Sequence, residues 1–173
     1  MSKNQLSPIL FLAAVLGSGL AQAHTGASDA GFAAGLLHPL SGGGDHLLFA
    51  LASGLWMAHK HFSLGQGLGL LLPPLMIGML IGVNGNHGIV TELLLGLSAV
   101  VAVIMLLPRM SLGKLSGIAV LSGFTLMHGV AHGNEMIALS LQGITAALAI
   151  TLTTGCIFAA GHFAVTGRYF QQQ

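Results

Sequence analysis

The chain of 173 residues is 54% hydrophobic and 5% charged, with a formal net charge of +1. A soluble domain carries about a quarter charged residues, so this composition excludes a water-facing globule and makes lipid the solvent of the fold. The near-neutral charge, with no block of Lys or Arg, removes the electrostatic footprint of a nucleic-acid binder. A single cysteine, Cys156, excludes an internal disulfide and any CxxC metal or redox motif, and reads as a small apolar packing residue.

Lys3, the apolar run from Ile9 to Leu20 and the small-x-small sequence Ala21-Gln22-Ala23 match the three regions of a secretory signal. Residues 1–23 are therefore expected to be cleaved, leaving residues 24–173 as one membrane domain that begins at His24 and starts outside the cytoplasm. Apolar segments follow at 30–58, 66–82, 89–107, 115–133 and 136–166. Lys60, Arg109, Lys114 and Arg168 fall after the first, third and last of them. The positive-inside rule then puts the mature N-terminus outside a bacterial inner membrane and the C-terminus in the cytoplasm. That parity requires an odd number of crossings. The first and last segments exceed the roughly 20 residues of one crossing, so the expected architecture is a compact all-α bundle of five to six transmembrane segments. The first should be broken at Pro39 and Gly42–Gly44, where a proline and three glycines interrupt it. Small-xxx-small pairs at Gly31/Gly35, Gly78/Gly82, Gly113/Gly117 and Gly129/Gly133 mark places where helices can approach closely.

Ionisable side chains are costly at membrane depth, about 2.5 to 3.5 kcal/mol each at the bilayer centre, so each needs a partner or a role. Those within the segments are His38, Asp45, His46, Glu92, His128, His132, Glu135 and His162. Imidazoles with carboxylates form a donor set suited to divalent Ni, Co, Zn, Cu or Fe, and the lack of a Cys or Met cluster argues against Cu(I). His128, His132 and Glu135 are spaced to share one helix face over two turns, while Gly129 and Gly133, one step round, admit a neighbouring helix. In His38-Pro39-Leu40-Ser41-Gly42-Gly43-Gly44-Asp45-His46, Asp45 reads as an N-cap of the following helix, as a ligand, or as an acceptor that orients a metal-bound imidazole. These roles are compatible. Glu92 reads either as a site acid or as a solvated residue near the outer end of its segment. His87 sits in an outer turn, His59 and His61 flank Lys60 on the cytoplasmic side, and His162 is divided between packing and pathway; these four are candidates for an entry or exit relay. Cleavage would give His24 an α-amine beside its imidazole, a bidentate chelate for a late first-row metal.

These motifs resemble the HupE/UreJ family of nickel permeases, whose members carry HPxxGxDH in the first membrane segment and FHGxAHGxE in a later one. The second motif is matched by residues 128–135, with Met127 in place of the usual Phe. The first is matched by His38-Pro39, Gly42 and Asp45-His46, with six residues between His38 and Asp45 where the family has five, and Ala50 stands where the family has a methionine. The resemblance implies uptake of Ni2+, or in some members Co2+, as a transported substrate rather than a prosthetic group, and no enzymatic activity. There is no GxxxxGK[ST] loop for ATP hydrolysis in this chain, and the oligomeric state is not readable. Two other functions fit the same donor set: an intramembrane Zn-dependent hydrolase, and a metal-sensing subunit that binds without flux.

Overall fold

The computed structural model describes residues 31–41, 44–83, 89–110, 112–135 and 140–170. The expected signal segment, His24 and the His87 turn lie outside them. Among the described residues there are six α-helices and no strand: α1 (Phe32–Ser41), α2 (Gly44–His59), α3 (Leu64–Gly82), α4 (Ile89–Ile104), α5 (Lys114–Glu135) and α6 (Leu141–Phe170). A short 3-10 turn, Pro108–Met110, precedes α5. This is an all-α membrane protein. Leu64–Gly82, Lys114–Asn134 and Leu141–Thr166 are each long and apolar enough to cross a membrane, and Val90–Ile104 is a shorter apolar helix.

The long first segment is divided as expected, with a correction to where. Pro39 does not end α1 but lies buried inside it, because a proline removes only one backbone donor. The helix stops after Ser41, at the glycine triplet, and α2 starts at Gly44. The last segment needs no bend. It forms one helix of 30 residues, about 45 Å long at 1.5 Å per residue.

Local signals fix the other boundaries. The α2 terminus is a Schellman stop: Phe62 N–H donates to the Met57 carbonyl and His61 N–H to the Ala58 carbonyl, each at 3.0 Å. His61 takes the left-handed position with φ 59°, where glycine is usual. The following Phe62 folds back beside Trp56, ring centroids 6.4 Å apart. Immediately after it, Ser63 forms with Gln66 a reciprocal capping box that starts α3.

Helix senses alternate. Gly35 of α1 packs on Ala146, His46 near the start of α2 meets Thr154, and Phe62 just past its end meets His162, so α1 and α2 run in the same sense as α6. Contacts of Gly78 with Gly129 and Gly82 with Gly133, together with the Ser122 hydroxyl donating to the Leu70 carbonyl, make α3 and α5 parallel to each other. Gly67 near the start of α3 meets Phe158, while Leu75 and Met79 further along share a second core with Ile150, so α3 runs antiparallel to α6. The described residues thus make five alternating passes, the first divided between α1 and α2.

Two kinds of surface result. Leu80, Ile81, Leu93, Leu115 and Leu152 point outward, as lipid-facing side chains do. Cys156 also faces outward, which corrects its reading as a packing residue: its position on α6 falls on the outer stripe. Inside, Phe49, Trp56, Met57, Leu71, Met105, Leu121 and Phe158 make one apolar core.

The α3–α5 seam is the tightest. A Cβ on Gly78, Gly82, Gly129 or Gly133 would strike a carbonyl oxygen of the facing helix, which has no rotamer by which to move away. The other expected pairs divide: Gly117 receives the Trp56 ring and Gly35 the Ala146 backbone, whereas Gly31 has nothing within 4 Å. Gly129→Ala is expected to destabilise the protein by about 1 to 3 kcal/mol through overpacking, read as a lower Tm in detergent. Gly123→Ala, on the same helix with open space around it, should leave Tm unchanged or raise it. Equal Tm values for the two variants would contradict the seam.

Candidate metal centre

The α1/α2 break and the α3–α5 seam together determine where the histidines fall. Because α2 begins at Gly44, His46 lies in its first turn, well inside the bundle, level with Thr154 near the middle of α6. On α5, Gly129 and Gly133 turn toward α3, and His128 and His132, one residue earlier on the helix, turn toward α2. His46, His128 and His132 are 6%, 2% and 4% exposed. Each offers a ring nitrogen within 4.8 Å of the others, an arrangement that could hold a metal ion.

A fourth imidazole extends the group. The His38 ring centroid on α1 is 4.9 Å from that of His132, His132 is 4.9 Å from His46, and His46 is 5.0 Å from His128. The four rings form a row fed by three helices. At one end Phe49 stacks on His128, centroids 4.8 Å apart and planes inclined by 22°. Phe49 belongs to the apolar core of Trp56, Met57, Leu121 and Phe158, so the row stops at a hydrophobic floor.

Polar contacts inside the row are short. His132 Nε2 and His46 Nδ1 are 3.0 Å apart, His46 Nε2 is 2.8 Å from Thr154 Oγ1, and His128 Nε2 is 2.8 Å from Ser98 Oγ. Ser98 on α4 and Thr154 on α6 were not singled out by the sequence. A lone hydroxyl in an apolar helix usually bonds its own backbone, and only the fold reveals which of them face a histidine.

The remaining candidates are placed as follows. Asp45 is half-buried within the first turn of α2, two positions too late to be the cap itself. Glu92 is exposed in the first turn of α4. Glu135 is the last residue of α5; its side chain, like all of His24 and His87, lies outside the described residues. His59 is exposed, and its Nδ1 meets the Leu55 carbonyl at 2.8 Å; His61 is exposed at the helix stop. His162 is buried, with Nε2–H donating to the Phe62 carbonyl at 2.9 Å, which ties the α2–α3 turn to α6.

An alternating helical bundle that buries several imidazoles in its apolar interior defines a multi-pass membrane protein with a candidate metal-binding centre. The family model described as HupE / UreJ protein matches residues 12–173, and the chain belongs to this family. It is a transporter family, linked to nickel and cobalt, rather than an enzyme family. No curated protein and no solved structure matches the chain.

If the row is the binding centre, His128→Ala and His132→Ala will each lower Ni2+ affinity more than tenfold in calorimetric titration of the detergent-solubilised protein. His59→Ala and His61→Ala, outside the row, should leave it within about twofold. Unchanged affinity in the first pair would place the ion elsewhere.

Proposed function

We propose that this chain is an inner-membrane permease for divalent transition-metal uptake, with Ni2+ the first-ranked substrate and Co2+ the second. The observation that carries this reading is the imidazole row. Four rings at successive spacings of about 5 Å offer an ion a series of exchangeable donors, where a single structural site would enclose one ion in a fixed set. Imidazole suits late first-row divalent ions.

Charge compensation would come from carboxylates at the same end of the row. Asp45 in the first turn of α2 offsets the positive end of that helix dipole, which would otherwise repel a cation beside His46. The C-terminal end of α1 presents the opposite, favourable pole, as in transporters built from interrupted helices. Glu135, three residues after His132, and Glu92 at the start of α4 add negative charge on the entry side. The mature N-terminus is assigned to the outside and the C-terminus to the cytoplasm, with His24 and His87 as capture groups and His59 and His61 on the release side.

The membrane potential suffices as a driving force. Two charges moving inward through 100 mV gain roughly 4.6 kcal/mol, enough for about a thousandfold accumulation. Release requires Phe49 and the apolar core beneath it to move, because the row ends there. That floor keeps the pathway from standing open at both ends, as alternating access demands.

The experiment is uptake of radioactive nickel into proteoliposomes with an imposed inside-negative potential. The intact protein should accumulate the ion, and His128→Ala and Asp45→Asn should reduce the initial rate at least tenfold. Stoichiometric binding without flux in well-folded protein would contradict a permease and return the centre to a sensor or to a Zn-dependent hydrolase, for which three histidines would also serve.

A further inference from the structure

Two hydroxyls outside the family motifs determine which nitrogen each histidine can offer to an ion. Ser98 Oγ lies 2.5 Å from the carbonyl oxygen of Leu95, one turn back on its own helix, as well as 2.8 Å from His128 Nε2. Thr154 Oγ1 likewise lies 2.8 Å from the Ile150 carbonyl and 2.8 Å from His46 Nε2. A hydroxyl has one proton to give, and a carbonyl can only accept. When the proton goes to the carbonyl, the hydroxyl faces its histidine with lone pairs alone, and the imidazole nitrogen opposite must be the protonated one.

We infer that Ser98 and Thr154 are positioning residues that hold His128 and His46 as their Nε2–H tautomers, so that the substrate ion is taken by Nδ1 of both rings. This rests on the transport reading above. The rest of the row is consistent with one direction of donation. His132 Nε2–H donates to His46 Nδ1, His46 Nε2–H donates to Thr154, and Thr154 donates to the Ile150 carbonyl, so every donor in the series has an acceptor. Metal-bound histidines generally need such a partner on the far nitrogen, which fixes both tautomer and ring orientation.

The geometry also indicates where the ion enters the series. Two imidazole nitrogens bound at right angles on one ion, each at about 2.1 Å, are separated by about 3.0 Å. His132 Nε2 and His46 Nδ1 already stand 3.0 Å apart. An ion can therefore replace the proton between them with little movement of either ring. His132 then carries its proton on Nδ1 instead of Nε2, which keeps the ring neutral, while His46 and His128 keep theirs on the hydroxyl side.

The test uses full-length protein carrying 15N-labelled histidine, with Zn2+ as a diamagnetic probe and long-range 15N–1H correlation as the readout. In the metal-free wild type, His46 and His128 should be protonated at Nε2. On adding Zn2+ their Nδ1 resonances should move to metal-bound positions while Nε2 stays protonated. Ser98→Ala and Thr154→Val should mix the tautomers and weaken Zn2+ and Ni2+ binding 10- to 100-fold. Ser98→Thr and Thr154→Ser, which keep the hydroxyl, should restore both properties, an outcome that a merely structural role does not predict. Coordination through Nε2 in the wild type would overturn the inference even where a variant fails to fold. So would Ser98→Ala and Thr154→Val variants with unaltered tautomers. A wild type that binds no metal would instead remove the transport reading, while its metal-free tautomers would still decide the role of the two hydroxyls.

Discussion

A polar ring inside a bundle whose outer surface is hydrocarbon must find its hydrogen bonds within the protein, since an unsatisfied group there costs several kcal/mol. The centre of this protein is arranged around that requirement. Imidazoles from α1, α2 and α5 meet one another, and His128 and His46 meet hydroxyls from α4 and α6. Five of the six described helices thus contribute to one polar row. The sixth, α3, contributes the flat glycine surface against which α5 is seated.

That seating explains why glycine and histidine alternate in residues 128–133. Each glycine removes a side chain on the face toward α3, and each histidine projects from the adjoining face toward α2. Bringing the backbones together is a packing device that membrane helices favour, because lipid offers no hydrophobic drive for their association. A second seam, where Gly54 and Gly161 join α2 to α6, holds His46 against Thr154 in the same way. The chemistry of the row and the packing of the helices are thus two faces of the same residues. The break between α1 and α2 supplies the remaining element, a helix terminus at depth that sets His46 facing His132.

Much of this was legible in the sequence for identifiable reasons. Composition gave lipid as solvent, and the i, i+4 spacing of His128 and His132 gave a shared helix face. The glycine pairs Gly78/Gly82 and Gly129/Gly133 were visible as close-approach signals, although the same pattern at Gly31 met open space. Spacing alone did not show that Pro39 stays inside α1, because a proline in a lipid-buried helix interrupts only one bond. The long last segment was ambiguous for a related reason: length beyond one crossing is equally compatible with a bend, a tilt or one extended helix. Ser98 and Thr154 were illegible because a hydroxyl acquires meaning only from the ring opposite it, and those contacts join residues 30 and 108 positions apart. Phe49, at the floor of the row, was illegible for the same reason, since its role comes from the ring it stacks on.

The central claim is that the ion is held by this imidazole row, and X-ray absorption at the nickel edge of the loaded, full-length protein tests it most directly. The account predicts the outer-shell scattering pattern of at least three imidazoles in the wild type, reduced by one ring in His46→Ala with the ion still bound. A spectrum of oxygen ligands alone, unchanged by that substitution, would contradict it.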